Sequence, residues 1–298
     1  MKKLMIAVSM AAAMVAFADE AETKAPNAEL AKESSWTDRI WGFGNYGMYS
    51  GYQLYGSLVN SEPTLQGYAE ANFNLGFDDL DLGYLGIGVW SNTDLTDKRR
   101  RSYGKAFNEW DPNIHWGTTF WFDDDKTWGL QYRTTIVWYY YPHRRHDHMW
   151  GSTATTMDWN HSFALVNPFV TPFLDWVHEY HENNADLLQF GLKKDISVDG
   201  VEGLTLTPAV TFVYRDHRYN WCFPTANFTE FHNGGMATAK IGLDATYQIT
   251  KNFGVFAKVA FCTTMDKDLR DASDHTTGAG YGKYKDFAWG GFGVTFNF

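Results

Sequence analysis

From about residue 44 to residue 298 the chain alternates polar and apolar side chains one by one, a period of two that commits it to strands with one apolar and one wettable face. The last stretch is the clearest case. Phe292, Val294, Phe296 and Phe298 share one face, and Gly291, Gly293, Thr295 and Asn297 share the other. Mean hydropathy is only -0.39 although the chain carries 13 Trp, 17 Tyr and 22 Phe, as expected of strands apolar on one side alone. After the amino terminus no run approaches the ~20 consecutive apolar residues of a spanning helix.

Residues 1–18 read as a secretory signal peptide: Lys2 and Lys3 are basic, Leu4 to Val15 is apolar but short, and Ala16-Phe17-Ala18 is a small-x-small cleavage site. Its removal takes two lysines and moves the net charge from -10 to -12, which speaks against a nucleic-acid partner. Residues 19–42 are polar and rich in Ala, Glu and Lys, and are expected to form a flexible periplasmic leader before a barrel over 43–298. Cys222 and Cys262 are too few for a disulfide scaffold, and one bridge or two thiols are both open.

The alternation divides into strands at 44–57, 64–77, 83–92, 109–122, 127–141, 156–167, 169–181, 186–195, 204–216, 237–249, 253–265 and 287–298. Twelve strands are predicted, or ten if the weak third and eighth merge with their neighbours. Each matches the ~9 to 11 residues, plus ends, of a tilted membrane strand. In the second, Leu65, Ala69, Ala71 and Phe73 oppose Gln66, Glu70, Asn72 and Asn74. In the tenth, Ala239, Ile241, Leu243, Ala245 and Tyr247 oppose Lys240, Gly242, Asp244, Thr246 and Gln248. Apolar-face aromatics gather near strand ends, as Trp110, Phe122, Trp128, Tyr140, Trp159, Trp176, Tyr180 and Tyr247, where a bilayer interface would hold them. Short connections alternate with long ones. The fold expected is therefore all-β, a transmembrane antiparallel up-and-down barrel with both termini on the periplasmic side.

The stretch Ser50-Gly51-Tyr52, Tyr55-Gly56, Pro63, Gln66-Gly67, then Gly86, Gly88, Trp90-Ser91-Asn92 and Asp94, resembles the opening strands of the TorF-like porins. It departs from that family where Tyr55 replaces an Arg. The terminal Phe298 resembles the ending that the outer-membrane barrel-assembly machinery reads. These resemblances imply a bacterial outer-membrane barrel and a pore, and they leave the solute open.

Within the strands, Glu70, Glu109, Asp111, Asp158, Asp175, Glu179 and Asp244 and the bases Arg133, Lys193, Arg215, Lys240 and Lys258 all take the polar face. Seven acids against five bases predict weak, mildly cationic selectivity. The expected pore-lining and constriction residues are Glu70, Arg133, Asp175, Glu179, Arg215, Lys240, Asp244 and Lys258. Inward aromatics such as Trp90, Trp121, Tyr139, Phe173 and Phe256 could instead fill the bore. Arg99, Arg100 and Arg101 in one long loop, with Arg144 and Arg145 in the next, form a basic patch expected to meet lipopolysaccharide phosphates.

Enzymatic readings find less. A lipid hydrolase would place His and Ser two apart on an outward face, yet His161 and Ser162 are adjacent and face opposite ways. Asp175 and Glu179 share a face, with His181 nearby, but inward acids are expected of any barrel. Gly278-Ala-Gly280-Tyr-Gly282 precedes no helix and is no phosphate cradle, so no cofactor is expected, and the histidines at 143, 146 and 148 read as solvated rather than metal-binding. The expected function is passive diffusion of small hydrophilic solutes. A plugged structural or adhesive barrel is the alternative, and a hydrolase the weaker third.

Overall fold

A computed structural model of the chain describes residues 39–76, 81–96, 107–140, 155–181, 184–221, 234–267, 270 and 286–298. In chain order the elements are β1 (Ile40–Tyr49), β2 (Tyr52–Leu54), β3 (Ser57–Asn60), β4 (Thr64–Asn74), β5 (Tyr84–Asp94), β6 (Phe107–Trp121), β7 (Gly129–Tyr140) and β8 (Thr155–Val166). They continue as β9 (Thr171–Glu179), β10 (Ala185–Lys193), β11 (Ile196–Ser197), β12 (Leu204–Arg215), α1 (His217–Trp221), β13 (Gly235–Thr250), β14 (Phe253–Thr264) and β15 (Phe287–Asn297).

Twelve of the described strands form one closed antiparallel wall. Neighbours in sequence pair with each other, β1 with β4 and β12 with β10, and β1 returns to β15 to shut the ring. The seam is in register from Phe43↔Asn297 to Tyr49↔Gly291, so the wall leaves no unpaired strand edge. β11 adds a short ribbon at the foot of β12, and β2 with β3 makes a separate hairpin. The predicted strands recur with ends shifted by a few residues, except the first. The stretch expected as one strand over 44–57 is β1, ending at Tyr49, followed by that hairpin.

Burial is inverted relative to a soluble protein. Ile87, Ile241, Val259 and Phe292 are 64%, 63%, 56% and 59% exposed on the outside, while Glu70, Gln66, Glu179 and Arg215 are 2% exposed or less inside. Only an apolar solvent around the wall makes that arrangement favourable. Seven of the expected interfacial aromatics are exposed on the outer face and Trp110 is half-buried there. Phe122, Trp128 and Tyr247 lie toward the terminal end, where β1 begins and β15 stops, and Tyr140, Trp176 and Tyr180 toward the other. Connections at the terminal end are short, such as 167–170 and 251–252, and those at the opposite end include 95–106, 216–234 and 265–286.

Candidate functional site

The lumen is crossed near the long-loop end by residues 50–63, the connection between β1 and β4. Leu54 pairs with Ser57 around a two-residue tip, Tyr55 (φ 46°) and Gly56 (φ 76°), both left-handed as a tight type I′ hairpin requires. The Gln53 side chain, with its amide oxygen turned to the donors, accepts from the backbone N–H of Tyr55 at 3.1 Å and of Gly56 at 2.9 Å. At its base, Trp289 Nε1 of β15 donates to the Gly51 carbonyl at 2.9 Å. Tyr52 packs on Trp90 of β5 with ring centroids 5.2 Å apart. At the tip, the Tyr55 carbonyl accepts from Arg215 Nη2 of β12 at 2.8 Å and from Thr238 Oγ1 of β13 at 3.3 Å, and the Tyr55 ring stands edge-on to Tyr219 of α1. The hairpin thus touches walls on opposite sides of the bore and narrows it.

The inward charges fall into three groups. On β4, β6 and β7, Glu70 accepts from Arg133 Nη2 at 2.9 Å, from Asn72 Nδ2 at 3.0 Å and from the Tyr68 hydroxyl, and Arg133 also donates to Tyr68 at 2.8 Å. The ring nitrogens of His115 lie 2.7 Å from Asn72 Oδ1 and 3.0 Å from Asn113 Oδ1, extending the network. Nearer the hairpin, Glu109, Asp111, Asp158 and Glu179 are buried on β6, β8 and β9, where Asp158 is in register with Glu179. Glu179 accepts from Thr156 Oγ1 and from the His181 backbone N–H.

The third group lines open space. A cavity of about 600 Å³ opens at the terminal end and runs along β10 and β12 to β15 and β1, past Lys193, Lys240, Asp244 and Lys258. Lys258 Nζ is 2.9 Å from Asp244 Oδ2, and Lys193 Nζ is 5.6 Å from the centroid of the Phe173 ring. Phe256 and Trp289 give this cavity an aromatic side, and Tyr49 stacks on Trp289 at 5.2 Å because Gly291 beneath it has no Cβ to meet the ring.

Of the eight residues expected to line a pore, Lys240, Asp244 and Lys258 line the cavity. Glu70 and Arg133 close on each other, Glu179 and Arg215 are buried beside the hairpin, and Asp175 is half-buried with Gln189 Nε2 at 3.4 Å. Lys251 at the rim and the hairpin contacts of Tyr52 and Tyr55 were not among the expected site residues. In the sequence the one mark of the hairpin tip is Gly56; the left-handed backbone of Tyr55 before it is visible only in the structure. Arg99, Arg100, Arg101, Arg144, Arg145 and Cys222 lie outside the described residues; Cys262 is buried. On the outer face His161 packs against Trp159 and Trp176 and accepts or donates with Tyr132 at 2.8 Å, while Ser162 faces the lumen opposite Asp175.

Fold and lumen together define a transmembrane β-barrel with a polar, partly open interior. No protein-family model matches the chain, and no curated protein sequence does. Solved structures similar to it include Escherichia coli outer membrane phospholipase A (11% identity, 86% of this chain and 92% of that chain, TM-score 0.44). Others are the NanC porin (9%, 85% and 98%, TM-score 0.45) and an outer-membrane channel from Pseudomonas putida F1 (9%, 87% and 94%, TM-score 0.45).

Proposed function

We propose that the protein is a bacterial outer-membrane channel for passive diffusion of small hydrophilic solutes or ions. The observation that carries this is the 600 Å³ cavity, wet by charged side chains, inside a wall whose outer surface is apolar. A barrel built only as a membrane anchor gains nothing from leaving Lys240 and Lys258 on open space. In this account the termini and the cavity mouth face the periplasm, residues 1–18 direct export, the stretch from residue 19 up to the start of β1 at Ile40 forms a tether, and Phe298 presents the barrel to the assembly machinery. The long loops then face outward, and their arginines meet lipopolysaccharide.

One observation favours a second reading. The hairpin over 50–63 and the buried network around Glu70 fill much of the bore at the long-loop end, as a plugged structural or adhesive barrel would require. Swelling of liposomes loaded with the refolded protein separates the two. A channel admits small sugars and excludes larger ones at a defined size; a plugged barrel gives the rate of empty liposomes for every solute.

A further inference from the structure

Counting every inward charge treats all of them as equally open to a solute. The fold does not. Glu109, Asp111, Asp158 and Glu179 are 4% exposed or less, held in the wall beside the hairpin, and Glu70 is enclosed with Arg133. The charged side chains that line the open cavity are Lys193, itself only 8% exposed, Lys240, Lys251 and Lys258, against Asp195 and Asp244. Asp244 is matched by Lys258 at 2.9 Å, and Asp195 accepts from Thr207 Oγ1 at 2.6 Å. The balance stays positive even with the α-carboxylate of Phe298 added at the rim. A chain of net charge -10 therefore presents a basic vestibule.

We propose that this vestibule collects small anions, inorganic or carboxylate-bearing, and makes the pore select them over cations. The inference rests on the channel function proposed above and names its solute class. The physical basis is that a cleft lined by one sign of charge, with low-dielectric walls, concentrates the opposite sign, and rings of Lys select anions. A net unit charge about 8 Å from a permeating ion in water favours anion over cation by roughly two- to sixfold, with the lower figure applying near 0.1 M salt. Lys193 and Lys240 stand deeper than the rim, on adjoining parts of the β10, β12 and β13 wall, so an ion entering past Lys251 meets lysine again further in.

The test is the zero-current potential of the full mature chain in a planar bilayer under a potassium chloride gradient. Chloride is expected to permeate faster than potassium. Lys193→Gln with Lys240→Gln should bring the ratio to one or below, and Asp244→Asn should raise it. The second change is a gain, which a misfolded protein cannot produce. A conducting protein that prefers potassium, or one whose ratio ignores all three substitutions, overturns the anion assignment and leaves the channel standing. A protein that inserts and stays silent, even with residues 52–60 replaced by a short Gly-Ser link, overturns the channel itself and this assignment with it.

Discussion

Gly56→Ala tests the docked hairpin with the smallest chemical change available. Gly56 holds φ at 76°, and a Cβ there would lie 2.2 Å from Thr238 Oγ1 and 2.9 Å from Thr238 Cβ. An L-residue forced into the left-handed region costs about 1 to 3 kcal/mol, and the overlap with β13 adds to that. The docked population should fall by about 5- to 150-fold relative to the undocked one. The wall is untouched, because β2 and β3 form a sheet of their own. With the tip released, the Arg215 and Thr238 hydrogen bonds to Tyr55 are lost and the bore widens at its narrow end. Single-channel recordings should show a new, larger conductance level in Gly56→Ala that the wild type rarely visits. A folded Gly56→Ala protein with the wild-type amplitude histogram would refute the claim that this hairpin sets the bore.

Glu70→Ala leaves the largely enclosed Arg133, 15% exposed, without this carboxylate and should cost up to about 3 kcal/mol, read as the shift in urea unfolding in detergent micelles. Asp244→Asn, at a pair whose carboxylate is 39% exposed to the cavity, should cost less than about 1 kcal/mol in the same assay. On the outer face Val259→Arg, midway along β14, should destabilise by about 2 to 4 kcal/mol in lipid vesicles, whereas Phe253→Arg at the strand end should cost about 0 to 1 kcal/mol. Equal effects at the two positions would mean that the apolar band does not lie in a bilayer.

The wall was legible because a period of two needs no knowledge of partners. Ile241 and Lys240 fall on opposite faces whatever strand lies beside them, and alternating connection lengths then give an up-and-down order. The hairpin was not legible by that rule, since residues 50–57 keep the alternation while leaving the wall. A strand pointing into the bore and a strand of the wall look the same one residue at a time, and it is the pairing of β2 with β3 alone, through the left-handed tip at Tyr55 and Gly56, that distinguishes them. The polar face was legible too, but not which of its charges stay wet. Glu70 and Arg133 are 63 residues apart, and their enclosure depends on how β4 meets β7 across β5 and β6. That is why a tally of acids and bases, which leads to the expectation of mild cation preference, differs from the charges on the open cavity, four lysines against two aspartates.

The central claim is that water and small solutes pass through this barrel. Its most direct test is the current carried by the refolded protein, inserted singly into a planar bilayer with equal salt on both sides. Discrete, ohmic steps of uniform size that vanish without protein are the expected result. A flat trace from protein shown to be folded and inserted, by its heat-dependent gel mobility and protease-resistant core, would contradict the claim and leave a plugged barrel in its place.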